Sequence, residues 1–137
     1  MPKDSLVLPE RVPAITVRQP WAEMIARGKK TIECSRDLWA YRGPLVIHAG
    51  RAAPYEDELE ELGVTPSEQA KLVYGGTLAL VMLVDARLPR PGDAQNALCD
   101  PGKAPLLVLE NAMRLEPRAV RGHPGMFYVK RDVVVLA

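Results

Sequence analysis

Cysteine is scarce in this chain: Cys34 and Cys99 stand alone, and no C-x-x-C pair occurs. A framework of disulfides is thereby excluded. Histidine is equally scarce, so a structural zinc would need Cys34, Cys99, His48 and His123 together, and none of these stand at metal-site spacing. Neither a metal nor a cofactor is expected. Aromatic residues make up only 5% of the chain, with a single phenylalanine and no RRM-type signature. Long apolar runs are also missing. The longest, Leu78 to Val84, falls far short of the roughly 20 residues that a membrane-crossing helix needs. The opening stretch carries Asp4, Pro9 and Glu10 where an export signal needs an unbroken apolar core, so a cytoplasmic protein with no membrane partner is expected.

What is present is ordinary for a folded domain. A chain of 137 residues, 47% hydrophobic and 26% charged, is long enough for one core, and a single domain is expected over 1–137. The net charge of +1 hides an uneven distribution. Seven basic residues stand against three acidic ones from Thr16 to Arg51, and five against one from Arg114 to Arg131. If those two segments are neighbours in the fold, they make a positive face that attracts phosphate; if they are dispersed, they are a mixed, solvated surface. The compensating acid, from Glu56 to Glu61, reads as a solvated helix face, because its carboxylates are adjacent and do not converge as metal ligands must.

Periodicity places the elements. Ala14 to Arg18 alternates as a half-buried strand, with Ile15 and Val17 on one side and Thr16 and Arg18 on the other. Pro20 suits the first position of a helix whose apolar face is Trp21, Met24 and Ile25, and Gly28 is its stop. Thr31 to Cys34 alternates again, and Pro44 to Ala49 is the next strand. Helical composition covers Pro54 to Leu62, and Thr65 with Glu68 makes a capping box for a helix reaching Leu72. Thr77 to Leu88 reads as a long buried strand, and Pro89 to Pro105 as the longest and most mobile loop, a candidate lid carrying Asn96, Cys99 and Lys103. Strands are expected at Leu106 to Met113 and at Met126 to Leu136, the latter broken near Arg131 and Asp132. Short strands with helices confined to two regions predict an α+β fold around a small closed or nearly closed barrel, not a doubly wound sheet.

The run from Ile15 to Glu33, Ile-Thr-Val-Arg-Gln-Pro-Trp-Ala-Glu-Met-Ile-Ala-Arg-Gly-Lys-Lys-Thr-Ile-Glu, resembles the opening of ASCH domains (activating signal cointegrator homology). The likeness continues through Tyr41 to Gly50 and returns in Leu107 to Asn111 and Arg121 to Phe127, so that it covers a core of about 14–130. The resemblance implies a PUA-like β-barrel of about five to seven strands with flanking helices. It also implies an RNA or nucleotide partner, held in a basic cleft beside the first helix. The family's Gly-x-Lys-x-x-Glu pattern falls on Gly28, Lys30 and Glu33. Many relatives have Arg two residues after this Glu; here that position is Ser35, and the arginine is Arg36. A shift of one residue along a strand turns Arg36 to the face opposite the cleft unless a bulge restores its direction, in which case Arg36 is a further ligand contact.

On that reading Lys30 and Arg42 meet phosphate, Glu33 and Ser35 meet base or ribose groups, and Thr31 is a further candidate ligand contact. Trp21 is either a stacking platform or a core anchor, and His48 either a general base or a satisfied structural histidine. The arginines of Arg42-Gly-Pro and Arg121-Gly-His-Pro-Gly shape turns unless they converge on the cleft. The alternative is a small hydrolase acting on a modified nucleoside or on RNA, amidohydrolase-like or ribonuclease-like. Some relatives in the superfamily are hydrolases in which a Lys acts with a Thr. Here Lys30 and Thr31 match, but Glu33 occupies the nucleophile's position, so Lys30 would stabilise charge and Glu33 would move a proton. A third alternative is an interaction domain with a vestigial cleft.

Overall fold

The computed structural model describes residues 7–137; Asp4, used above in reading the N-terminus, lies outside them. The elements run β1 (Arg11–Val17), α1 (Trp21–Ala26), β2 (Ile32–Cys34), β3 (Gly43–Ala49), α2 (Glu56–Glu61), α3 (Pro66–Gln69), β4 (Gly76–Arg87), α4 (Asp93–Ala97), β5 (Leu106–Arg114) and β6 (Phe127–Lys130). The six strands form one mixed sheet in the order β2-β5-β4-β3-β1-β6, in which β1 and β3 are parallel and every other pairing is antiparallel. This is the expected α+β architecture of a small barrel-type sheet with flanking helices.

The period of two sorts the apolar residues onto two faces. Ile15 and Val17 of β1, Leu45 and Ile47 of β3, and Val81 and Leu83 of β4 pack with Ala22, Ile25 and Ala26 of α1. Val12, Ala14, Val46, Leu80, Phe127 and Val129 form a second cluster. Burying Ile25, which is 1% exposed, contributes about 2 kcal/mol. Glu23 of α1 also ties the helix to the sheet: Arg114 of β5 donates to both its carboxylate oxygens, at 3.0 and 2.8 Å.

β1 begins at Arg11, ahead of the expected Ala14, because its first half pairs with β6 from Arg11↔Lys130 to Ala14↔Phe127. The expected break after β6 is a 3-10 turn at Arg131–Val133. The capping box forms, with Glu68 N donating to Thr65 Oγ1 at 3.2 Å, although the helix stops at Gln69. Register shifts near His48 and at two places between β4 and β5 mark bulges, which add curvature. That curvature brings β2 round toward β1, from the other end of the strand order.

The largest departure from expectation is the segment Pro89 to Pro105. It holds α4, and it is docked rather than open. Asp93 accepts from Arg87 through both oxygens at 2.8 Å, and Ala97 is buried against Ile32 and Leu106, with Cys99 packed alongside. Thr31 N donates to Asn96 O at 2.9 Å, and Lys30 Nζ donates to Ala97 O. Gly, Asp and Asn in quantity read as a loop because nothing local reveals these nonlocal partners. Asn96 and Cys99 belong to a fixed turn, not to a hinged lid, while Lys103 is exposed on the following stretch.

Candidate functional site

The corner after α1 is built as expected, and its consequence differs from the expected one. Gly28 adopts φ +76, ending the helix with Lys29 N and Lys30 N both bonded to Met24 O. The turn sends Lys30 inward: the residue is 3% exposed, and its ammonium lies 5.2 Å from the centre of the Trp21 ring. Trp21 is itself engaged, packing on the first core and donating from Nε1 to Glu58 Oε2 at 3.0 Å. Glu58 also accepts twice from Arg18, at 2.8 and 3.0 Å, so the acidic helix is more than a solvated face. Thr31 and Lys30 line a separate cavity of about 100 Å³ beside Gly28. Arg42 bonds the Trp39 and Tyr41 carbonyls and lies 3.5 Å from Asp85.

A longer groove lies elsewhere, where β1 and β2 face each other. Two cavities adjoin there, both lined by Thr16 and Pro124. The smaller, about 190 Å³, is walled by Ile15, Glu33, Ser35, Arg36 and Trp39, with Leu107 among its apolar residues. The larger, about 580 Å³, is walled by His48, Arg51, Arg121, Gly122 and His123. Arg51 and Arg121 come from the two basic segments, which are therefore neighbours. Arg36 lines the groove together with Ser35, contrary to the strand-alternation argument. The reason is that β2 ends at Cys34, so the period of two does not govern the residues beyond it.

The groove carries Arg36, Arg51 and Arg121 together with the carboxylates Glu33 and Asp37. Arg18, Arg27, Arg42, Arg87, Arg114 and Arg118 all pair with carboxylates, whereas Arg36, Arg51 and Arg121 have no carboxylate partner among the described residues. Of the two carboxylates, Glu33 is the more enclosed. Its Oε1 accepts from Cys34 N at 3.0 Å, while its Oε2 is sealed from solvent with no hydrogen-bond partner. Burial pushes the Glu33 carboxyl above the usual carboxylate range, against the smaller opposing pull of Lys30.

His48 is 2% exposed and bonded at both ring nitrogens: Nε2 to Val120 O at 2.6 Å and Nδ1 to Thr16 Oγ1 at 3.0 Å. Burial lowers its pKa against the opposing bond to the Val120 carbonyl, and the charges of Arg51 and His123 add to the lowering, which favours the neutral ring. Gly122 closes over this pair. A Cβ there would lie 2.6 Å from Thr16 Oγ1 and 2.8 Å from His48 Cε1, which leaves room only for glycine. Thr16 itself is exposed. As site residues, Thr16 and Arg51 were not legible in the sequence; the only signal was the polar position in the alternation of β1.

Among the described residues no three His, Cys, Asp or Glu side chains gather as metal ligands would, and no helix is long and apolar enough to cross a membrane. No family model matches the chain, and no curated protein matches it. Solved structures do match. The chain is similar to ASCH from Zymomonas mobilis, with 13% identity and a TM-score of 0.62 over 88% of each chain. Two point mutants of a Zymomonas mobilis ASCH protein give 12% identity each: one with a TM-score of 0.55 over 88% of this chain and 91% of that one, the other with 0.56 over 91% and 93%. The fold is ASCH-like.

Proposed function

We propose that the chain binds single-stranded RNA or a nucleotide along the groove between β1, β2 and the 121–125 turn. The observation that carries this reading is the set of three arginines, Arg36, Arg51 and Arg121, unpaired and spread along adjoining cavities. A planar guanidinium free of carboxylates is suited to grip phosphate through two parallel hydrogen bonds. Trp39, half-buried in the wall of the smaller cavity, offers an aromatic face on which a base can stack. Glu33 and Ser35 beside it offer polar contacts to base edges. The ASCH-like fold and the sequence resemblance agree with such a partner. Lys30 and Trp21 support the groove from within the fold, and Arg42 is outside it.

The test is binding of a labelled oligouridylate followed by fluorescence anisotropy across a salt series. Affinity falls with salt, and Arg51→Ala and Arg121→Ala each weaken binding and reduce the slope of log K against log salt by about 1. Arg42→Ala leaves both unchanged. Arginine variants that bind as tightly as the wild type, or a wild-type affinity indifferent to salt, would overturn the reading.

A further inference from the structure

We propose that the hydrogen-bond chain from Thr16 through His48 to Val120 fixes Thr16 Oγ1 as an acceptor facing the groove, so that the site prefers a ligand with a hydroxyl donor beside its phosphate: a ribonucleotide over a deoxyribonucleotide. This rests on the groove being a nucleic-acid site and adds which sugar it takes.

The assignment follows from counting protons. The Val120 carbonyl can only accept, so His48 Nε2, 2.6 Å away, carries the ring hydrogen. In the neutral ring Nδ1 then has only a lone pair. Thr16 Oγ1, 3.0 Å from Nδ1, must direct its single proton there. What remains toward solvent is the pair of oxygen lone pairs. The side chain has little freedom to turn: Thr16 is β-branched, and its hydroxyl and the His48 ring fill the space that a Cβ on Gly122 would occupy.

Position supplies the ligand. Thr16 lines the same cavity as Arg51 and Arg121, so a ligand whose phosphate those arginines hold turns its neighbouring groups toward the Thr16 oxygen. In a nucleic-acid strand the groups nearest a phosphate belong to the sugar, and the only donor on the sugar within a strand is the 2′-hydroxyl. A deoxyribose would set a CH₂ group against Thr16, displacing water from an acceptor without replacing the hydrogen bond.

The test compares an oligouridylate in three sugar forms, ribo, 2′-fluoro and deoxy, at equal length and salt. Uracil carries no exocyclic amine, and the 2′-fluoro strand keeps a ribose-like pucker without the donor. The wild type binds the ribo form about five-fold tighter, the worth of one ordinary hydrogen bond, and does not separate the other two. Thr16→Val, nearly isosteric, abolishes the preference; Thr16→Ser, with folding of both checked by circular dichroism, retains it. Equal binding of ribo and deoxy strands by the wild type, or a preference that survives Thr16→Val, would refute the acceptor role while leaving the groove as a binding site. If the wild type binds none of the three strands, the nucleic-acid reading of the groove falls, and this inference with it.

Discussion

Glu33→Gln should make the protein more stable at neutral pH, although the residue stands in the candidate site. Its Oε2 is buried without a hydrogen-bond partner, and only Oε1 is satisfied, by Cys34 N. An unsatisfied buried acceptor costs about 1–3 kcal/mol, and more when charged. Lys30 offsets part of that cost by its charge, but no ion pair forms between the two side chains, and the net displacement of the Glu33 pKa is upward. The neutral amide keeps the acceptor for Cys34 N and removes the desolvated charge, while its NH2 inherits the unpartnered place of Oε2, so the gain is held to about 1 kcal/mol, a rise of roughly 3 °C in Tm for a chain of this size. The sign of the pH dependence follows from linkage. A carboxyl whose folded pKa is raised binds more protons in the native state than in the unfolded one, so wild-type stability falls as pH rises from the usual carboxylate range through the raised value. The gap between Glu33→Gln and wild type should therefore be full at pH 7 and close toward pH 4. Urea titrations at both values measure it. A variant less stable than wild type at pH 7, or a gap that does not change with pH, would refute the account of Glu33 as a buried, poorly compensated charge.

Two further substitutions separate support from contact. Lys30→Met removes the ammonium that bonds Ala97 O and lies over Trp21, and should cost about 2 kcal/mol in urea unfolding while leaving RNA affinity per folded molecule unchanged; normal stability with lost affinity would return Lys30 to the ligand site. Gly122→Ala places a Cβ within 2.6 Å of Thr16 Oγ1 and 2.8 Å of His48 Cε1, and should lower both Tm and oligouridylate affinity by displacing the 121–125 turn. A crystal structure of the variant with that turn unmoved would contradict the packing argument.

How much of this was legible in the sequence depends on the range of the interactions. Elements with their own periodicity and punctuation were readable: the alternation of Ile15 and Val17, the Gly28 stop, the Thr65–Glu68 box and the break at Arg131 are all decided within a few residues. α4 was not, because two of its anchors, Lys30 and Thr31, contact it from far along the chain. The site followed the same rule. Glu33 and Ser35 line the groove, and Arg36 joins them because β2 is short. Lys30 carried the strongest motif signal and is consumed by structure. Arg51 and Arg121 acquire significance only from each other, across a sequence separation that no local pattern spans.

The strand order has a mechanical corollary. β2 and β6 are the free margins of the sheet, and no backbone hydrogen bond joins them among the described residues. The groove occupies the seam near them, with one wall beside β2 and the other from β1 and the chain leading into β6. An occupant touching both walls would act as a clasp, completing a ring that the polypeptide leaves unfinished, so that holding a ligand and stiffening the molecule would be one event.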